Sequence, residues 1–203
     1  MNCAIAQVCD DVSVDGADAD ASLLPFETLL TIENPGSNGS QQTFLRFINP
    51  SDGEANVEVY GIDDGGNRSR QGTLGFTLPA NAAKQIIVQD IENGNTAKGL
   101  TGNLCDGQGK WRLRVRSDVE IRVLGFIRTP DGFLASLNEV VPRTAEDNFV
   151  YFANPASNTN QQTFLRIVNL NDNSDTVTIT GIDDEGTVST GSVTFLLSAH
   201  ESI

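Results

Sequence analysis

The segment "NPGSNGSQQTFLRFIN" at residues 34–49 returns as "NPASNTNQQTFLRIVN" at residues 154–169. The two copies start 154 − 34 = 120 residues apart, and the match runs without a gap to "GIDDGG" at Gly61 and "GIDDEG" at Gly181. Because this period is far longer than the roughly 20–50 residues of a solenoid repeat, each copy should be a small domain. The sequence therefore predicts two modules of one design in a chain of 203 residues.

Short apolar runs, cut by Gly, Asn, Asp and Pro about every ten residues, begin at Phe26. This rhythm is typical of an all-β sandwich or barrel, and we predict immunoglobulin-like β-sandwich repeats. The predicted organisation is a polar arm at 1–24, a first repeat at 25–143 and a partial second repeat at 144–203. The strands expected in the first repeat are 27–33, 43–49, 55–60, 73–78, 84–88, 110–117, 120–128 and 133–137. A single helical turn that ends near Gly94 is expected within residues 89–100.

The second repeat lacks counterparts of residues 84–137 in this sequence. An incomplete sandwich would expose core positions and unpaired strand edges. Two explanations fit this pattern. The chain is a fragment of a longer tandem array, or a strand from another molecule completes the second repeat by β-augmentation.

The acidic composition limits the classes of partner. A formal net charge of −14 disfavours binding to nucleic acids or to anionic membrane surfaces. No apolar run approaches the roughly 20 residues that span a bilayer, so membrane insertion is not expected.

Three cysteines, Cys3, Cys9 and Cys105, occur without a CxxC pair or a flanking histidine, so a zinc site is not expected. Either Cys3 or Cys9 could form a disulfide with Cys105 and hold the arm against the first repeat. The alternative is three unrelated thiols.

Two acidic motifs, "GIDDGGN" at 61–67 and "GIDDEGT" at 181–187, occupy equivalent places in the two repeats. Asp and Gly are the residues that a tight turn requires, and this interpretation needs no ligand. The alternative is calcium, since paired carboxylates on a loop supply hard oxygen ligands. The candidate calcium ligands are Asp63, Asp64, Asp183 and Asp184.

Two arginines, Arg46 and Arg166, lie within apolar strands at equivalent positions. A buried arginine requires a partner. We therefore expect an ion pair from Arg46 to Asp63 or Asp64, with a clamp for a ligand carboxylate as the alternative.

Basic residues concentrate in "KWRLRVRSDVEIRVLGFIR", which starts at Lys110. Strand alternation places Trp111 in the core and the cationic side chains on the opposite face. This stripe could bind an acidic glycan or a sulfate through arginine forks, or could be a solvent face neutralised by acidic neighbours. The candidate ligand-binding residues are Arg112, Arg114, Arg116 and Arg122.

Catalytic signatures are missing from the sequence. It contains no GxSxG, HExxH, P-loop or Rossmann fingerprint, and its single histidine is His200. We therefore expect a protein that is not an enzyme and that needs no cofactor, calcium being the possible exception.

The combined pattern "TFLRIVN…VTITGIDDEG", "TLPANAAKQIIVQDIENG", "DGQGKWRLRVRSD" and "VLGFIRTPDGFLASLNEVVPR" resembles a tandem β-sandwich repeat module of secreted and surface bacterial proteins. Such modules often follow extracellular proteases. The resemblance covers nearly everything after residue 26 and carries over no functional residues. The chain departs from the module at Cys105 and in the arm 1–24.

The resemblance implies an extracellular or cell-surface location and a non-catalytic structural, adhesion or accessory binding role. The expected partners are other proteins or neighbouring copies of the module. The alternatives are a carbohydrate-binding module for an acidic polysaccharide and a filament subunit assembled by β-strand complementation.

Overall fold

A computed structural model describes residues 24–69, 72–132, 134–136, 153 and 165–203. The chain divides into two compact units, Met1–Glu139 and Val140–Ile203. The boundary expected from the sequence lies between residues 143 and 144. Except for Leu24, the predicted arm 1–24 falls outside the described residues.

Strands dominate the described residues, and one short α-helix and a 3₁₀ helix at Thr96–Lys98 interrupt them. The elements are β1 (Phe26–Glu33), β2 (Gln42–Ile48), β3 (Ala55–Ile62), β4 (Leu74–Leu78), β5 (Ala83–Ile87), α1 (Val88–Asn93), β6 (Trp111–Ser117), β7 (Arg122–Arg128), β8 (Leu134–Ser136), β9 (Asp175–Ile182) and β10 (Val188–Leu197). The all-β prediction is confirmed, and each strand expected in the first repeat is present within two residues of its predicted ends. The predicted helical turn is α1, which is capped by Gly94.

Two antiparallel four-stranded sheets form the first unit, with strand orders β1-β6-β3-β4 and β5-β2-β7-β8. Alternate residues of β2, β3 and β4 point into the space between the sheets, as the period of a β-strand dictates. Phe47 of one sheet meets Phe76 of the other edge to face, with ring centroids 5.0 Å apart. The unit is therefore a β-sandwich, and its immunoglobulin-like topology stays a prediction.

The second unit contains a two-stranded antiparallel sheet formed by β9 and β10. Its local structure repeats that of the first unit. The side-chain amide of Asn49 donates to three backbone carbonyls at 2.8, 3.1 and 3.1 Å. Asn169, at the equivalent position, also donates to three carbonyls, at 2.8, 3.3 and 2.8 Å. The turn after β4 in the first unit and the turn after β10 in the second unit each contain a left-handed residue. These residues are Asn81, with φ 55°, and His200, with φ 57°.

Candidate functional site

The Gly-Ile-Asp-Asp motif of the first unit, residues 61–64, covers the last residues of β3 and the start of the turn that follows it. The Oδ1 atom of Asp63 accepts the backbone amide of Asn67 at 2.9 Å, and its Oδ2 atom accepts the backbone amide of Gln108 at 2.9 Å. Asp63 is buried, with 5% of its surface exposed. Its carboxylate therefore fixes the turn and also holds a segment that lies far away in the sequence.

The second aspartate of the motif binds the same distant segment. Asp64 accepts the backbone amide of Lys110 at 2.7 Å through Oδ2, and its own amide donates to the carbonyl of Gln108 at 2.9 Å. Together the two aspartates clamp residues 108–110, which lead directly into β6.

A slot at Gly61 receives the indole ring of Trp111. A Cβ atom at Gly61 would lie 2.6 Å from Cε3 of this ring, a separation that real Cβ atoms do not show. Trp111 is 2% exposed, which confirms its predicted core position. Its Nε1 atom donates to Oε1 of Glu92 at 2.8 Å, as a buried indole N–H requires.

Glu92 forms hydrogen bonds with three separate segments of the first unit, at Trp111, Gly36 and Cys105. Besides the indole, its Oε2 atom accepts the backbone amide of Gly36 at 2.9 Å. Its own carbonyl accepts the amide of Cys105 at 3.0 Å. Burial raises the pKa of Glu92, although the hydrogen bonds from Trp111 and Gly36 oppose this effect.

The helix that carries Glu92 is held by Asp90, which accepts the amide of Ile87 at 3.1 Å and the side-chain amide of Asn95 at 2.7 Å. Lys98 also forms an ion pair with Asp90. Burial opposes ionisation of Asp90, but the hydrogen bonds from Lys98, Asn95 and Ile87 outweigh it and lower the pKa. The short helix thus has a capped N-terminus without any ligand.

Cys105 is disulfide-bonded. Its Sγ atom lies 3.2 Å from Oδ1 of Asn103, which is a contact and not a hydrogen bond because a disulfide sulfur carries no proton. The two other cysteines, Cys3 and Cys9, lie outside the described residues, so the pairing stays a prediction.

The geometry of the acidic motifs favours the turn over calcium. Both carboxylate oxygens of Asp63 accept N–H donors, which occupy the lone pairs that a cation would need. In the second unit, Oδ1 of Asp183 accepts the amides of Glu185 at 3.0 Å and Thr187 at 2.8 Å. Calcium takes six to eight oxygens, and the described residues contain no group of three acidic, cysteine or histidine side chains that could hold a metal ion.

A cavity of about 520 Å³ lies beside the turn of the first unit, between residues 63–68 and 106–111. Its lining is mainly polar. Asp63 and Gln108, which line it, already bind each other. The charged side chains of Arg68 and Asp106 also line the cavity.

The four candidate arginines do not share one open surface. The Nε atom of Arg116 lies 3.2 Å from Oε2 of Glu27, and its guanidinium lies 5.0 Å from the centre of the Tyr60 ring. Nη1 of Arg114 donates to the hydroxyl of the same tyrosine at 3.3 Å. Arg112 is 2% exposed, and Arg122 lies on the other sheet, in β7.

The expected ion pair from Arg46 to Asp63 or Asp64 is wrong. Arg46 is exposed because the buried residues of β2 are Thr43, Leu45 and Phe47, which alternate with it. Both aspartates bind backbone amides instead. The equivalent Arg166 donates to Oγ of Ser202 at 3.0 Å.

One buried carboxyl group, that of Glu33, was not expected from the sequence. Glu33 is 1% exposed and lies between the sheets, where a Cβ atom on Gly125 would be 3.0 Å from its Oε1 atom. Among the described residues, no donor or acceptor reaches its Oε2 atom. Burial raises the pKa of Glu33 to about 8.

No helix in the described parts of the chain is both long and apolar enough to cross a membrane. No protein-family model matches the chain, and no curated protein matches it significantly. Among solved structures, one named Anabaena sensory rhodopsin transducer aligns with 48% of this chain and 89% of that chain. It is 16% identical with a TM-score of 0.35, which is too low a similarity to inform fold or function.

Proposed function

We propose that the chain is a non-catalytic structural and interaction module of a secreted or surface-exposed tandem-repeat protein. Its role is to space, attach or present neighbouring domains, and its partners are other proteins or copies of the same module. The observation that carries this proposal is the use of the Gly-Ile-Asp-Asp carboxylates, which accept backbone amides and hold distant segments of the chain in place.

The duplicated local structure supports a structural role. Asn49 and Asn169 organise the same turn in the two units, and Asp63 and Asp183 close the same loop. A pair of modules that preserves framework residues in this way is typical of repeat proteins, in which each unit supplies a scaffold.

The disulfide at Cys105 supports an extracellular location. Disulfides persist in oxidising compartments and are rare in the cytosol of most organisms. The resemblance to repeat modules of secreted bacterial proteins points the same way.

Single-molecule force spectroscopy tests the structural role. The chain is placed between marker domains of known unfolding force and is pulled under non-reducing conditions. We expect unit 1 to unfold in one cooperative event, because its two sheets share a single core. Extension of unit 1 without a resolvable force peak would contradict the proposal.

Retention on polysaccharide-coated beads provides the complementary test. Tight retention of an acidic polysaccharide, lost when Arg114 and Arg116 are both changed to alanine, would favour the carbohydrate-binding alternative. The double variant Arg46→Ala/Arg128→Ala removes the same charge at two exposed positions that are not among the candidate ligand-binding arginines, and it is the matched control.

A further inference from the structure

The cavity beside the acidic turn of the first unit has the size of a small-molecule site. Its volume is about 520 Å³, and ligand pockets span roughly 300–1,000 Å³. One wall is formed by residues 63–68, which follow β3, and the other by residues 106–111, which lead into β6. The cavity is therefore large enough to admit a small polar molecule.

The two walls of the cavity are tied to each other by the fold itself. Asp63 accepts the amide of Asn67 on one wall and the amide of Gln108 on the other, both at 2.9 Å. Asp64 accepts the amide of Lys110 at 2.7 Å. A ligand that enters such a preorganised site does not have to order the two loops, so more of its contact energy contributes to affinity.

Two opposite charges line the cavity without being used by the fold. The side chains of Arg68 and Asp106 are exposed, and neither forms a hydrogen bond or an ion pair with another described residue. Two amide side chains lie beside them. Among the described residues, no hydrogen bond reaches the Oδ1 atom of Asn67 or the side-chain amide of Gln108. The cavity therefore presents both donors and acceptors to a ligand.

The turn of the second unit shows that the fold does not require the arginine. Val188 stands where the first unit has Arg68. Both residues form the same antiparallel bridge across the turn, Val188 to Ile182 and Arg68 to Ile62. A valine thus completes the turn as well as an arginine does. The guanidinium group of Arg68 is therefore not explained by the backbone structure of the turn.

We propose that this cavity is a binding site for a neutral saccharide unit, which is held between the side chains of Arg68 and Asp106. A hydroxyl group both donates and accepts, so neighbouring hydroxyls bind a carboxylate, a guanidinium group and side-chain amides at the same time. Hydrogen bonds to charged groups are the stronger ones, and this cavity supplies them with both signs. The apolar part of the lining, which includes Trp111, contacts the C–H groups of the sugar ring.

The charges around the cavity argue against an ionic ligand. Arg68 and Asp106 balance each other, and the buried carboxylate of Asp63 adds a negative charge to the lining. The whole chain carries a net charge of −14, which repels anions. A metal ion is not favoured either, because the described residues contain no group of three acidic, cysteine or histidine side chains that could hold one. A neutral ligand rich in hydroxyl groups fits these conditions.

This site goes beyond the structural role proposed above and can fail separately from it. The arginines tested there with an acidic polysaccharide, Arg114 and Arg116, contact Tyr60 and Glu27 and do not line the cavity. A force peak for unit 1 without saccharide binding would leave the structural role and remove the site. Saccharide binding without a force peak would do the reverse.

Titration of the isotope-labelled chain with neutral disaccharides, followed by NMR, tests the site. The probes are maltose, cellobiose, lactose and N,N′-diacetylchitobiose, each raised to about 20 mM so that a Kd of about 1 mM is detected. We expect at least one probe to shift the amide signals of Asn67 and Gln108 saturably, together with the indole signal of Trp111, the single tryptophan. The absence of such shifts with every probe would overturn the proposal, as would tighter binding of glycylglycine or glucuronate.

Matched variants locate the binding. Arg68→Val introduces the residue that the second unit carries at this position, so the turn should fold. Its affinity should fall at least about tenfold, as the loss of hydrogen bonds to a charged group implies, whereas Arg46→Val, at an exposed arginine of β2, should bind like the wild type. Asp106→Asn should weaken binding several-fold, and Glu54→Gln, at an exposed glutamate that does not line the cavity, should not. Equal effects in both members of a pair would overturn the assignment.

Discussion

Replacing Glu33 with glutamine should remove most of the pH dependence of the stability of unit 1 above about pH 4.5. Burial raises the pKa of Glu33 from 4.5 to about 8, so between these values the folded protein holds a proton that the unfolded chain releases. Stability is therefore complete below the lower value and is lost as the pH rises through the higher one. The gap of about 8 − 4.5 = 3.5 pH units, at about 1.4 kcal/mol each, corresponds to on the order of 5 kcal/mol.

This loss is comparable with the whole free energy of unfolding of a typical domain, about 5–15 kcal/mol. Glutamine keeps the shape of the side chain and removes the ionisation. We therefore expect Glu33→Gln to match the wild type within about 1 kcal/mol at pH 5 and to exceed it by several kcal/mol at pH 9. A shallow residual slope should persist, because burial also raises the pKa of Glu92.

Urea unfolding followed by tryptophan fluorescence measures this effect in the correct unit, because Trp111 is the single tryptophan of the chain. Glu54→Gln, at an exposed glutamate, is the matched control and should keep the wild-type slope. Parallel pH profiles for the wild type and Glu33→Gln would refute the argument that the buried carboxyl group causes the dependence.

Four further outcomes follow from the structure. Gly61→Ala should destabilise unit 1 by about 1–3 kcal/mol, because the new Cβ clashes with the indole ring. Gly181→Ala should leave the unfolding midpoint unchanged or slightly raised, and an equal loss in both variants would contradict the clash as the cause. Asn49→Ala should cost about 2–4 kcal/mol in urea unfolding because it removes the donor of three backbone carbonyls. Reduction of the disulfide at Cys105 should lower stability by about 2–4 kcal/mol, and peptide mapping of the oxidised protein will identify its partner. Calcium and a chelator should give the same melting temperature, and a rise with calcium that Asp63→Asn abolishes would restore the metal hypothesis.

The strands of the first unit could be predicted from the sequence because the alternation of apolar and polar residues lies within a few consecutive positions. In β6, Trp111, Leu113 and Val115 alternate with arginines, and this period alone places them in the core. The same rule places Arg46 on the solvent face, between the buried Leu45 and Phe47. The expected ion pair is wrong because the apolar run of β2 alternates and does not bury the residue at this position.

Glu33 was not predictable by that rule. The register of β1 against β6 shifts between Leu30 and Glu33, and this irregularity turns toward the core a residue that strict alternation from Leu30 would place outside. The contact between the acidic turn and Gln108 could not be predicted from the sequence either. Asp63 and Gln108 are separated by 45 residues, and no local pattern joins them.

The two acidic turns, compared side by side, show what the distant segment adds. The bond from Oδ1 of Asp63 to the amide of Asn67 measures 2.9 Å, and the equivalent bond from Asp183 to Thr187 measures 2.8 Å. The turn therefore takes the same form in both units. The turn bond is thus set by residues 63–67 and 183–187 themselves, and in the first unit the bonds that Asp63 and Asp64 accept from the amides of Gln108 and Lys110 add a link from this turn to β6.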